Sequence, residues 1–409
     1  MVRPILVTRR PTRRHGGLGL LRHGFLVLAV TTAGACAGNP PTATPPGPVV
    51  APRIDVAVDL TPRISGLTVP VLAPEPVGAF DALLTSPVLR DAGFAAEVDE
   101  WVGYWTEAAA GSVPGFLRRM GHFERMVDST LDARRMPPSL RYLPFIESGY
   151  NPRATSHAAA VGMWQFMAGT ARGFGMAVDP LVDERRNPFK STDAATRYLS
   201  TLHDEFGSWF LALAAYNGGP TRTRRILRTH APDAEPSDSL FWALRSHFPR
   251  ETRQFVPKLV GAIVVASDPA RHGYDHVRDP AFTFDPVTVP DATTLDVVAR
   301  EAGTTEDEIA RLNPELVRGI TPRGRSFALR VPAGSAETFR TNYALVPAAE
   351  RVTFVEHVVA SGETLSHIAR RYRISVTEIR AANPEIRPRY LRIGARLTVP
   401  VVPSAGTGS

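Results

Sequence analysis

The chain has 409 residues, 44% of them apolar, which is enough for two or three domains with cores of their own. Its formal net charge is +7, but six arginines and no acidic residue fall within the first 36 positions, so the remainder is close to neutral at +1. That distribution points to targeting rather than to a nucleic-acid surface, and a lone cysteine, Cys36, excludes an intrachain disulfide.

Residues 1–35 join a basic stretch (Arg3 to Arg22), a short apolar core (Phe25 to Val30) and the small residues Ala33-Gly34-Ala35. This is the order of a secretory signal peptide, and the apolar run is far shorter than the roughly 20 residues a membrane span needs. Cys36, placed directly after the small residues, resembles the lipobox of bacterial lipoproteins, although Ala33 stands where leucine is usual. The resemblance implies lipidation at Cys36, and Ala37 behind it lacks the acidic residue associated with inner-membrane retention, which favours the outer membrane. The alternative is an ordinary signal peptide in which the cysteine is incidental. Residues 36–76 are rich in Pro, Thr, Ala and Val with little charge, a composition that builds an extended tether rather than a core.

Between 77 and 275 apolar residues recur every three or four positions, as in Leu117, Met120, Phe123, Val127 and Leu131, and alternating strand patterns are scarce. The spacing predicts one mostly helical domain. Within it Glu147 follows the apolar Phe145-Ile146 and precedes the turn-forming Ser148-Gly149-Tyr150-Asn151-Pro152. A carboxyl packed against Phe and Ile loses solvation in its charged form and can stay protonated near neutral pH; an exposed glutamate at a helix end is the plainer alternative. Further on, Gly162-Met163-Trp164-Gln165 combines a close-approach glycine, an aromatic face and an amide, the groups that polar sugars require. Ala215-Tyr216-Asn217-Gly218-Gly219 then ends an apolar helix with a phenol and an amide.

In this order, Glu147-Ser148, Asn151-Pro152, Ser156, Gly162-Met163-Trp164-Gln165 and Ala215-Tyr216-Asn217 resemble the lysozyme-like lytic transglycosylases of glycoside hydrolase family 23. Glu251-Thr252-Arg253-Gln254-Phe255-Val256-Pro257-Lys258 looks like the signature of the membrane-bound lytic murein transglycosylase D type, with Phe255 in place of the more usual Tyr. Trp164 stands where many relatives carry Met, and is expected to make the sugar-facing surface more aromatic.

The resemblance implies a lysozyme-like fold and a single catalytic acid. Glu147 would protonate the glycosidic oxygen between N-acetylmuramic acid and N-acetylglucosamine, then take the proton of the muramyl 6-hydroxyl as a 1,6-anhydro ring closes. It also implies that Ser156 bonds near the reacting sugar, that Gln165 and Asn217 orient the glycan, and that Tyr216 contacts Glu147 or the substrate acetamido group. Ser148, Gly162, Met163 and Trp164 complete the expected substrate-binding set. No second carboxylate of the kind most glycosidases use is evident, because Asp179, Asp183 and Glu184 lie in a loop-like stretch where solvated or capping roles are expected.

Beyond about residue 282 short strands flank short helices, and the pattern repeats. Thr294-Leu295, Glu308-Ile309 and Asn313-Pro314-Glu315 recur as Thr364-Leu365, Glu378-Ile379 and Asn383-Pro384-Glu385, at a constant offset of 70. The second copy, 354–401, closely resembles a LysM module, a strand-helix-helix-strand unit that binds polymers containing N-acetylglucosamine. The first, 283–340, lacks the Gly362-Glu363-Thr364-Leu365 opening and reads as a degenerate relative. Residues 402–409 form a tail. The expected protein is thus a monomeric cell-envelope enzyme of the periplasm, anchored to the outer membrane and acting on peptidoglycan strands, with no cofactor, metal or nucleic acid. The alternatives are a goose-type lysozyme that hydrolyses the same bond and a non-catalytic peptidoglycan-binding protein.

Overall fold

A computed structural model describes residues 81–274, 278–372, 374–386 and 391–400; the expected signal peptide, Cys36, tether and tail lie outside them. Helix α1 (Ala92–Gly103) starts where the Asp91 carboxylate accepts the Phe94 N–H at 3.0 Å. Helix α2 (Val113–Ala133) buries the stripe that the sequence periodicity picks out, from Leu117 to Leu131. The short α3 (Leu143–Ser148) stops at Gly149, whose φ of 59° lies in the left-handed region.

After α4 (Ala168–Gly173), helix α5 (Pro188–Phe206) opens on Asn187, whose side chain accepts the N–H groups of Phe189 and Lys190. Helix α6 (Trp209–Gly218) is buried from Phe210 to Ala215 whichever way its residues face, as a helix at the centre of a bundle must be. It packs against α5, α7 (Pro220–His230), α8 (Asp238–Leu244) and α9 (Arg250–Ser267), and α1 lies along α9. The helical domain does not stop at 275 as expected. Tyr274 is buried with its hydroxyl donating to the Trp105 carbonyl at 2.6 Å, and the N–H groups of Asp279 and Phe282 donate to carbonyls of α2.

The first repeated unit consists of β1 (Asp285–Val289), α10 (Leu295–Ala302), α11 (Glu306–Leu312) and β2 (Phe327–Val331), with β1 and β2 antiparallel and Val287 opposite Leu329. An added helix, α12 (Ala336–Tyr343), sends Phe339 and Tyr343 into its core, so the expected boundary at 340 cuts through a helix that belongs to the unit. The second unit repeats the plan with β3 (Phe354–Val358), α13 (Leu365–Tyr372), α14 (Val376–Ala381) and β4 (Arg396–Pro400). The two copies share one folding device. Asn313 donates to the carbonyls of Ile309 and Arg330 and accepts the Arg330 N–H, while Asn383 does the same with Ile379 and Thr398. In each, one buried amide ties the end of the second helix to the closing strand and satisfies strand groups that would otherwise lack a partner.

Candidate active site

Glu147 sits at the C-terminal end of α3, and the packing around it explains why the sequence can hold it there. Phe145 is fully buried and meets the rings of Trp105 and Phe116 edge-on, with centroids 5.5 and 5.3 Å away. The carbonyl of Ile146 accepts a hydrogen bond from Nζ of Lys258 on α9 at 3.2 Å. Glu147 itself is partly buried. Loss of solvent raises its pKa to about 7, with the Lys258 ammonium pulling it down and the Glu251 carboxylate pushing it up. Burial lowers the pKa of Lys258 in turn, against the pull of Glu147 and Glu251. A carboxyl in this setting holds a proton near neutral pH and can release it and take another back, which an acid–base catalyst must do.

The loop from Asn151 to Phe166 stands beside this acid. Ser148 donates to the Met163 carbonyl at 2.9 Å and accepts the Asn151 N–H, so it stitches α3 to the loop. Ser156 is exposed at a turn, where its hydroxyl accepts the Ala160 N–H at 3.1 Å. Gln165 donates to the Gly162 carbonyl at 2.8 Å and has a left-handed φ of 50°. Tyr150 and Ala159 also have positive φ, at 59° and 62°, so three non-glycine residues in this uncommon conformation surround the site. Gly162 has a φ of 86°, and a Cβ there would fall 1.8 Å from the Arg185 carbonyl oxygen.

Helix α6 brings in the third motif. The Tyr216 hydroxyl donates to the Trp164 carbonyl at 2.7 Å rather than to Glu147, the first of the two partners expected for it; burial above all, and then the neighbouring charge of Glu147, raise the phenol well above its usual pKa. Asn217 accepts from the Thr252 hydroxyl at 2.9 Å and donates towards Glu251 at 3.5 Å, engaging both ends of its amide with α9.

Two of the expected sugar contacts, Trp164 and Met163, are not at the surface. Trp164 does not present an aromatic face to sugar: it is fully buried, and its indole N–H donates to the Thr192 hydroxyl of α5 at 2.9 Å. Met163 is likewise fully buried and reaches no surface. Asp183 and Glu184 are 7% and 8% exposed, so of the solvated and capping roles expected there only capping is met, by Asp183. Asp183 caps a short turn and pairs with Arg185, while Glu184 accepts the Ala177 N–H and pairs with Lys190. Phe255 is buried at 3% exposure as part of the apolar core.

Lys258 and Glu251 are charged neighbours of Glu147 that the sequence does not mark as such, although both belong to the motif at 251–258. Seven residues apart on a helix, they share a face, and that spacing was the signal that could have placed both beside one site. Among the described residues no group of three or more His, Cys, Asp or Glu is arranged to hold a metal ion.

Comparison with known proteins places these features in a wider group. Residues 128–235 match the Transglycosylase SLT domain, residues 283–348 the LysM-like domain of lytic transglycosylase MltD, and residues 357–400 the LysM domain. The chain is 30% identical over 279 residues to membrane-bound lytic murein transglycosylase D of Escherichia coli (strain K12), covering 65% of this chain and 60% of that protein. It is 32% identical over 96 residues to membrane-bound lytic murein transglycosylase C of Glaesserella parasuis serovar 5, covering 20% of this chain and 26% of the relative. The 70 kDa soluble lytic transglycosylase of E. coli aligns at 24% identity with a TM-score of 0.31, over 36% of this chain and 24% of that one. The chain thus spans about three fifths of the length of the curated relatives it matches first.

Proposed function

We propose that this chain, which carries a transglycosylase SLT domain followed by MltD-type LysM domains and is homologous to lytic murein transglycosylase D, is a peptidoglycan lytic transglycosylase of the cell envelope. The observation that carries the reading is the partly buried carboxyl of Glu147, held at a pKa of about 7 at the junction of α3, α6 and α9.

Protonated Glu147 donates to the oxygen of the β-1,4 bond between N-acetylmuramic acid and N-acetylglucosamine as the bond breaks. The substrate's own acetamido group stabilises the anomeric carbon, and the carboxylate of Glu147 then removes the proton of the muramyl 6-hydroxyl. That oxygen attacks the anomeric carbon, giving a 1,6-anhydromuramyl end without water. Ser156 and Gln165, on the adjacent loop, and Asn217 bind and orient the glycan. The second LysM unit holds the polymer through N-acetylglucosamine. Cys36 carries the lipid that anchors the enzyme to the outer membrane, for remodelling and turnover of the wall.

Glu251 supports a second reading, hydrolysis of the same bond. It is exposed on α9 and close enough to Glu147 to raise its pKa. A paired carboxylate is what an inverting hydrolase uses to activate water. Mass analysis of the fragments released from purified sacculi separates the two: anhydro ends are expected, and free reducing ends would replace the transglycosylase with the hydrolase. Glu147→Gln is expected to lower release by at least about 10³-fold while the chain stays folded; near-normal release would remove Glu147 from the mechanism.

A further inference from the structure

We propose that the first repeated unit is a fixed wall of the catalytic centre, in which Glu315 and Arg330 act as positioning residues for the 153–166 loop that carries Ser156, Gly162 and Gln165. The inference rests on the reading above only for what the loop does, not for how it is held.

The segment 177–187 lies between the unit and the loop and is bonded to both. On the side of the unit, Val182 is buried in the apolar core formed with β1, β2 and α10. The Asp183 N–H donates to the Glu315 carbonyl at 2.9 Å, and the Val317 N–H donates to the Leu181 carbonyl at 3.1 Å. The Glu315 carboxylate accepts Nδ2 of Asn187, the cap of α5, at 2.9 Å and pairs with the Arg330 guanidinium.

On the side of the loop, the Asp183 carboxylate takes Nε and Nη2 of Arg185 at 2.8 and 2.9 Å. That leaves Nη1 of Arg185 to donate to the carbonyls of Ala159 and Phe166, both at 3.1 Å, across the two ends of the turn. Arg186 reaches the Arg153 carbonyl at 2.7 Å and the Thr155 hydroxyl at 3.1 Å. Arg153 closes the circuit by donating to the Ala310 carbonyl of the unit at 2.6 Å. The loop contains two of the uncommon positive-φ residues, Ala159 and Gln165, and such conformations persist only where the surroundings over-determine them.

The second copy supplies an internal control. It keeps the asparagine device at Asn383, but its counterpart of Glu315 is Glu385, which is exposed, and the position of Arg330 is taken by Thr398. The Glu315–Arg330 pair, 2% and 8% exposed, is therefore not needed to fold a unit of this kind. A buried ion pair is in general a poor source of stability, and among the described residues one oxygen of Glu315 has no partner at all. What distinguishes the first copy is the segment its carboxylate faces.

The test uses the full chain and hydrogen–deuterium exchange. In Glu315→Ala the amides of 153–166 are expected to exchange about tenfold faster or more, with α6 and α9 unchanged. The kcat for release from sacculi should fall about tenfold with little change in KM, as for lost positioning in the transition state. Glu315→Gln, which keeps the acceptor for Asn187 and Arg330, should restore most of the loop's protection. Arg153→Gln, an exposed change that leaves every core contact in place, should loosen the same segment by a smaller factor. Wild-type protection of the loop in a folded Glu315→Ala chain overturns the proposal, as does faster exchange spread evenly over α6 and α9. Should Glu315→Ala not fold, wild-type loop protection in both other variants overturns it. Because the exchange requires no substrate, a wild-type chain that releases no product would sink the proposed function and leave this inference standing.

Discussion

Glu147 and its neighbours make a pH-dependent prediction whose sign follows from the electrostatics. Burial raises the Glu147 pKa to about 7, so the protonated acid is present below that pH and is lost as pH rises through it. The alkaline limb of kcat/KM is therefore expected near pH 7. Lys258 lowers the Glu147 pKa and Glu251 raises it. Lys258→Met should accordingly move the limb to higher pH, and Glu251→Gln should move it to lower pH, as read from pH profiles of fragment release. Movement in the opposite sense, or none, would mean that another group sets the limb. The sequence contains the candidate acid and both charged neighbours, but only Glu147 is legible there as a candidate. An apolar run before a carboxylate signals desolvation, whereas the approach of α9 to α3 is a tertiary fact.

At the scale of elements, the loop from Asn151 to Phe166 shows what motif reading can and cannot extract. Gly162 in its motif signals close backbone approach, and the Arg185 carbonyl oxygen lies 1.8 Å from where its Cβ would be. Gly162→Ala combines that collision with a φ of 86°, and is expected to cost roughly 3–5 kcal/mol in urea unfolding. A loss below about 1 kcal/mol would show that the loop relaxes around the added methyl group. Trp164, whose motif suggests a sugar platform, is a core residue bonded to α5. Composition tells that an aromatic belongs to a motif; which way its ring points depends on the helix it meets. The same holds for the Gly-Glu-Thr-Leu opening of the second unit. Glu363 accepts the Ala360 N–H at 2.8 Å and pairs with His357 at 2.7 Å, while His357 also meets the Tyr372 hydroxyl. The motif thus locks the first strand to α13, and its loss in the first copy is met by Thr293 bonding Tyr343 of the added helix α12.

Over the whole molecule, the two copies of one repeat have been given different work. The first is built into the helical domain through Val182, Glu315 and Arg153. The second belongs to a segment, 351–400, with nine arginines and four glutamates, a net charge of +5 suited to weak, salt-dependent attraction to acidic wall material. Removal of residues 351–409 is expected to reduce retention on insoluble peptidoglycan, with the difference shrinking as salt rises; equal retention at every salt concentration would deny the second unit an anchoring role. The mostly helical domain, the repeat with its constant offset, the helix that Gly218-Gly219 ends and the candidate acid Glu147 were all legible in the sequence, because periodicity, caps and turn residues act over a few positions. Only the packing of distant segments shows that Met163 and Trp164 face inward, that Lys258 and Glu251 lie near Glu147, and that the first repeat is bonded to the helical domain. Those outcomes depend on which surfaces meet after distant segments pack, and burial and charge pairing across such contacts leave no local pattern to read.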